Sequence, residues 1–86
     1  MISKYKFFMT PMCPDCGEIK DYLGTIELKG EIIDATTDQG LEIAEALGVM
    51  GVPTMVFVDK TGKETNRADN LDDIRKILDN KSLLDI

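Results

Sequence analysis

The stretch Phe7-Phe8-Met9-Thr10-Pro11-Met12-Cys13-Pro14-Asp15-Cys16 decides how the chain is read. It ends an aromatic-rich run, Lys4 to Met9, that suits a short buried strand. Thr10-Pro11-Met12 breaks the run. A helix is then expected from Cys13, with Pro14 in the first turn, where a missing N–H costs nothing. Cys16, Ile19 and Leu23 share one face of it at helical spacing, Tyr22 lies beside them, and Gly24 ends it. The two thiols therefore stand in unlike surroundings. Cys13 is at a helix N-terminus, whose unpaired N–H groups and dipole favour a thiolate. Cys16 is on an apolar face that disfavours one.

The chain has two cysteines and no histidine. A bridge between positions three apart closes too small a loop to constrain the unfolded chain much, so a structural staple is a poor account of the pair. Thiol–disulfide exchange needs no other side chain. Cys13 attacks a disulfide, a mixed disulfide forms, and Cys16 displaces the substrate thiol, leaving an internal bridge. A Cys–His hydrolase is excluded by the missing histidine. Zinc asks for four ligands, which this chain could complete only with Asp15, Glu18 or a second copy. A thiol module scaffolding a metal or an iron–sulfur cluster between two chains is therefore the alternative of another class.

Outward from this stretch, Glu31-Ile32-Ile33-Asp34 reads as a second strand. Thr36-Thr37-Asp38 offers an N-cap for a helix with Leu41, Ala44 and Leu47 inward, ended by Gly48. Met50-Gly51-Val52-Pro53-Thr54 leads into Met55-Val56-Phe57-Val58, the strongest strand. Asp59-Lys60-Thr61-Gly62 is a hairpin turn, and Lys63 to Arg67 its polar partner strand. Asn70 caps a last helix with Leu71, Ile74, Ile77 and Leu78 inward. The tail, with Leu83, Leu84 and Ile86, packs back or frays. The order β-α-β-α-β-β-α predicts one α/β domain over residues 1–86, a four-stranded mixed sheet flanked by three helices.

Composition agrees. The 86 residues, 43% of them hydrophobic, suit a single globular domain. No apolar run reaches the ~20 residues of a membrane span, and none makes a secretory signal, so a cytoplasmic protein without membrane contact is expected. The net charge of −6 makes nucleic acid a poor partner.

A C-P-x-C after a short strand, with Val52-Pro53 about forty residues later before an apolar strand, resembles the thioredoxin superfamily over residues 3–80. The short length and immediate first strand resemble glutaredoxins, while Gly51-Val52-Pro53-Thr54 resembles the cis-proline loop of thioredoxins. The resemblance implies a thioredoxin-like fold and a redox-active Cys13–Cys16 disulfide with no bound cofactor. It implies a monomeric oxidoreductase that reduces disulfide-bearing proteins, recharged by thioredoxin reductase or the glutathione system. It also implies that Pro53 is cis, where the residues alone predict trans, that the Val52 backbone binds the substrate segment, and that Met12 and Pro14 line the docking surface.

The chain departs from glutaredoxins at Thr10, where they carry lysine, and at Asp15, where they carry tyrosine. Asn66-Arg67-Ala68-Asp69-Asn70 lacks their paired glycines, leaving Asp69 as the acidic element and Arg67 as the cation for a carboxylate. Phe7 stands where thioredoxins bury an acid. A glutathione-linked glutaredoxin, or a donor to one dedicated enzyme such as a ribonucleotide reductase, is the nearer alternative. The Asp15 carboxylate disfavours a Cys13 thiolate, which makes the pair more reducing.

Overall fold

Side chains alternate across a strand, so adjacent Phe7 and Phe8 must serve opposite faces of a sheet. The computed structural model of the chain describes residues 1–80, and both phenylalanines are fully buried there. They lie on β1 (Lys4–Met9), at the centre of a four-stranded sheet with β2 (Gly30–Asp34), β3 (Thr54–Val58) and β4 (Glu64–Ala68). The spatial order is β2-β1-β3-β4. β1 pairs parallel with β2 and antiparallel with β3, and β3 pairs antiparallel with β4. This is the expected mixed thioredoxin-like sheet, and three helices flank it as expected: α1 (Cys16–Leu23), α2 (Asp38–Ala46) and α3 (Leu71–Asp79).

The sheet divides the core in two. Tyr5, Phe7, Met55 and Phe57 pack with Cys16, Ile19 and Leu23 of α1 and with Ile74 and Leu78 of α3. Phe8, Val56 and Val58 pack with Ile33 and with Ala44 of α2. Every residue of β3 is buried, which explains its dense apolar sequence. β4 is the polar edge, its last residue Ala68 turned into the core.

The caps are largely those the sequence announces. Thr37 Oγ1 accepts the Gly40 N–H at 3.0 Å, and Asn70 Oδ1 accepts the Asp73 N–H at 2.8 Å. Gly48 follows the end of α2 with φ of +69°, a backbone that favours glycine.

Four expectations need correction. Helix α1 begins at Cys16, not Cys13. The Cys13 N–H is taken by the Thr10 carbonyl at 3.1 Å, and the Cys16 N–H turns to the Cys13 carbonyl at 3.4 Å. That three-residue closure makes a tight turn in place of a first α-helical turn. Leu41 is 49% exposed, and α2 instead turns Gly40, Ile43, Ala44 and Leu47 inward. Gly40 sets this phase, because a Cβ there would collide with the Asp34 carbonyl. Strand β2 takes in Gly30, and β4 is displaced by one residue, from Glu64 to Ala68. Ile2 and Leu28 join the core although the sequence pattern did not single them out. The tail over residues 81–86 lies outside the described residues.

Candidate active site at the Cys13–Cys16 disulfide

The site is assembled at the end of the sheet where β1 stops and β3 begins. The register Phe8↔Thr54 places Met9 and Thr10 at the same edge as Pro53 and Val52. From Thr10 the chain turns directly into Cys13. Cys13 and Cys16 are joined by a disulfide, with Cα atoms 5.4 Å apart. Cys16 is 2% exposed, held by its place on the inner face of α1 among Ile19 and Leu23. Cys13 is half-buried at the rim of the same core. The two sulfurs thus differ in access as expected. The cause is the turn before the helix rather than a place inside its first turn.

The other sequence-predicted residues surround the pair. Pro14 and Asp15 lie between the cysteines and are exposed, and Met12 is 88% exposed. Asp15 occupies the N-cap of α1, yet its side chain accepts no capping hydrogen bond. Val52 and Pro53 are half-buried, and the peptide bond between them is cis.

Two residues support this loop through bonds that sequence reasoning did not anticipate, although Thr54 already closes the Gly51-Val52-Pro53-Thr54 string. The Thr54 hydroxyl, buried at the start of β3, donates to the Gly51 carbonyl at 2.6 Å and so ties the loop across Val52-Pro53. Arg67 donates to the Leu47 carbonyl at 2.6 Å and to the Gly48 carbonyl at 3.4 Å, where the loop leaves α2. Glu64 holds the same guanidinium at 2.7 Å and 2.9 Å, and this pairing raises the Arg67 pKa. A hydroxyl directly after the proline was the available signal for Thr54. Nothing local in the sequence links Arg67 to residues about twenty positions earlier.

A groove of about 400 Å³ opens beside the disulfide between the starts of α1 and α3. Asp15, Glu18, Asp69 and Asp72 line it, with Arg75 as its cation. The Arg75 guanidinium lies over the Tyr22 ring, 5.3 Å from its centre. Four carboxylates against one guanidinium give this lining an acidic balance. Arg67, the cation expected to hold a carboxylate, is already bound to Glu64 and the α2 carbonyls. Among the described residues no three Cys, Asp or Glu side chains gather as a metal site.

The chain matches the glutaredoxin family model over residues 6–61, from β1 through the cis-proline loop and β3 into the hairpin turn. It belongs to the glutaredoxin family. This glutaredoxin-family chain is 34% identical over 58 residues to the SPbeta prophage-derived thioredoxin-like protein YosR of Bacillus subtilis (strain 168), covering 67% of this chain and 70% of that protein. In structure it is similar to Fasciola hepatica thioredoxin, with a TM-score of 0.74 at 25% identity over 91% of this chain and 81% of that one. It is also similar to thioredoxin 1 of Thermosipho africanus TCF52B, with a TM-score of 0.70 at 23% identity over 92% and 98% of the two chains. The family, the fold and the C-x-x-C disulfide together make it a thiol–disulfide oxidoreductase in the general sense. No helix among the described residues is long and apolar enough to cross a membrane.

Proposed function

We propose that the protein reduces disulfides in other proteins, with Cys13 as the attacking and Cys16 as the resolving thiol. The observation that carries this reading is the unequal access of the two bonded sulfurs, Cys13 at the rim and Cys16 at 2% exposure. Only the accessible sulfur can reach a bulky substrate. The Cys13 thiolate attacks one sulfur of the substrate disulfide, and the other leaves as a thiolate that takes up a proton. Cys16 then gives up its proton and attacks Cys13, releasing the second substrate thiol and leaving the Cys13–Cys16 bridge. Two electrons pass to the substrate, which gains two protons.

Such a protein works where thiols are kept reduced, the cytoplasm, and needs a reductase to reopen its bridge. The acidic groove and the engaged Arg67 favour a protein reductase over glutathione for that task.

The test is a redox titration of the purified protein with trapped thiols read by mass spectrometry, beside a Cys16→Ser variant. A reversible internal bridge at about −270 mV is expected, the range of thioredoxin rather than the roughly −200 to −230 mV of glutaredoxins. The Cys16→Ser variant accumulates a mixed disulfide on Cys13 that the intact pair resolves. Adducts accumulating on Cys16 alone, or no internal bridge at any potential, would sink the reading. Glutathione accumulating on Cys13 of the intact protein would move it to the glutathione-linked alternative.

A further inference from the structure

Strand β2 is an edge of the sheet, with no strand beyond it among the described residues. Along a strand the backbone N–H and C=O groups of successive residues turn to opposite sides, so every second residue bonds a given neighbour. The Lys29 carbonyl accepts the Tyr5 N–H, and the Ala35 N–H donates to the Met9 carbonyl, so the odd-numbered residues face β1. Gly30 and Ile32 therefore turn their backbone groups outward. Ile32 is 45% exposed, and the pairing of β2 with β1 is regular, without a bulge to bend the edge away. A row of open groups of this kind is a template for another strand.

The charges along this edge complement one another. One step before the register Tyr5↔Gly30, Lys29 comes beside Lys4, a like charge. Lys29 belongs to neither ion pair found among the described residues, Lys6–Glu31 and Glu64–Arg67. Glu31 lies two positions on and on the same face. It meets Lys6 at 3.5 Å and still keeps 58% of its side chain exposed. Antiparallel pairing of two such edges can be centred on Gly30, Glu31 or Ile32. Centring on Glu31 sets that carboxylate against its own copy, a like-charge pair. Centring on Ile32 calls on the Asp34 carbonyl, which already accepts the Thr37 hydroxyl at 2.9 Å and the Thr37 N–H at 3.3 Å. Centring on Gly30 sets Lys29 opposite the partner's Glu31, and Glu31 opposite the partner's Lys29. Gly30 brings no side chain to that axis, because the Tyr5 ring fills the place of a Cβ.

We infer that β2 is a docking edge for a second copy of this chain, paired antiparallel about Gly30 so that two four-stranded sheets become one of eight strands. The Gly30 N–H and C=O bond their counterparts, and Ile32 lies opposite the partner's Leu28. Each Glu31 then sits between Lys6 of its own chain and the partner's Lys29. Strand β1 runs in opposite directions in the two copies, so the two Cys13–Cys16 sites point to opposite ends of the joined sheet. Neither site lies at the contact, and the inference stands apart from the proposed function. The contact spans only residues 28–32 of each copy, and both chains carry a net charge of −6. The dimer is therefore weak and forms at high concentration.

The test is sedimentation of the full chain at rising concentration up to about 1 mM, with reductant present so that no disulfide links two copies. A monomer–dimer equilibrium is expected within that range. Lys29→Glu sets glutamate against glutamate across the axis, and Glu31→Lys sets lysine against lysine. Each variant alone is expected to dimerise about tenfold more weakly or not at all. Mixed together they restore both opposite-charge pairs, and a heterodimer forms. Ile32→Pro gives a further variant, since it removes an outward N–H that the single chain does not use. It is expected to fold and to lose the dimer. A zero-length carbodiimide cross-link between Lys29 and Glu31 of differently labelled copies, read by mass spectrometry, confirms the register. A monomer at every concentration, as the family resemblance implies, would overturn the inference. So would a dimer that survives both charge reversals, or a mixture of the two variants that associates no better than either alone.

Discussion

On one face of the sheet Phe7, Met55 and Phe57 lie under two helices; on the other, Phe8, Val56 and Val58 lie under one. The deep face holds Cys16 almost out of reach of water. The thin face leaves Leu41 and Met50 uncovered and carries the loop with Val52. The difference teaches how a small domain divides its labour. A resolving sulfur must be shielded until its partner has reacted, which takes a thick core. The other face stays incompletely covered because α2 alone lies over it.

The sharpest way to break this comparison is a matched pair on β1. Phe7 and Phe8 are neighbours of equal size and both are fully buried. Truncating a buried phenylalanine to alanine costs about 3–5 kcal/mol, more where the surroundings cannot collapse into the gap. Phe7→Ala is expected at the top of that range and Phe8→Ala at the bottom, read by denaturant unfolding. Equal costs would mean that the two cores are equally rigid. Should either variant fail to fold, Phe7→Leu against Phe8→Leu gives the same ordering.

The next contrast sets two helical glycines against each other. A Cβ at Gly40 would meet the Asp34 carbonyl, whereas one at Gly17 meets nothing within 4 Å. Gly40→Ala should therefore destabilise by at least the ~1–3 kcal/mol typical of overpacking. Gly17→Ala should stabilise by roughly 0.5–1 kcal/mol, because alanine loses less backbone freedom in a helix. Thermal unfolding midpoints moving in the same direction would refute the account of why α2 is turned as it is.

Arg67 tests whether the loop on the thin face depends on a distant latch. Arg67→Ala removes its bonds to the Leu47 and Gly48 carbonyls and should cost about 1 kcal/mol, since the group is partly exposed. It should raise KM for a protein disulfide while leaving the redox potential of Cys13–Cys16 unchanged. A shifted potential with unchanged KM would show that the latch acts on the cysteines instead.

The smallest effect concerns acid, and it compares two turns. The Thr36 hydroxyl and N–H hold the Asp34 carboxyl below its ordinary value of 3.8. The Thr61 hydroxyl, helped by the Lys63 N–H, does the same for Asp59 in the hairpin. Both folded-state values are depressed, so their stabilisation is complete above the unfolded value and is lost as pH falls through the folded one. Asp34→Asn and Asp59→Asn should each flatten the loss of stability below about pH 4 and leave its slope at neutral pH alone. An unchanged acid limb in both variants would remove these turns from the account.

Much of the fold could be read from the chain. The apolar strands around Phe7 and Phe57 were plain because alternation and β-branched or aromatic content are local signals. The caps at Thr37 and Asn70 were plain because a side-chain oxygen reaches only a few residues along its own helix. Leu41 was misread because apolar spacing does not say which edge of the apolar stripe faces inward. The start of α1 was misread because a proline in a first turn is equally at home in the tight turn that the chain makes there. Thr54 and Arg67 passed without a role at the loop for different reasons. Thr54 was read as the last residue of the Gly51-Val52-Pro53-Thr54 string without a bond for its hydroxyl, and the partners of Arg67 lie far away in sequence.

The sequence by itself determined the chemistry and the order of elements. A C-P-x-C after an aromatic strand, with no histidine in the chain, leaves thiol exchange as the simplest use of the pair. Tertiary structure decided the rest: how completely Cys16 is shielded, where α1 starts, how α2 is rotated, and that Val52-Pro53 reaches the same edge of the sheet as Cys13. The physical reason is range. Spacing and capping act over a turn or two of chain. Burial of Cys16, the contact at Gly40 and the register Phe8↔Thr54 exist only once strands far apart in sequence have paired.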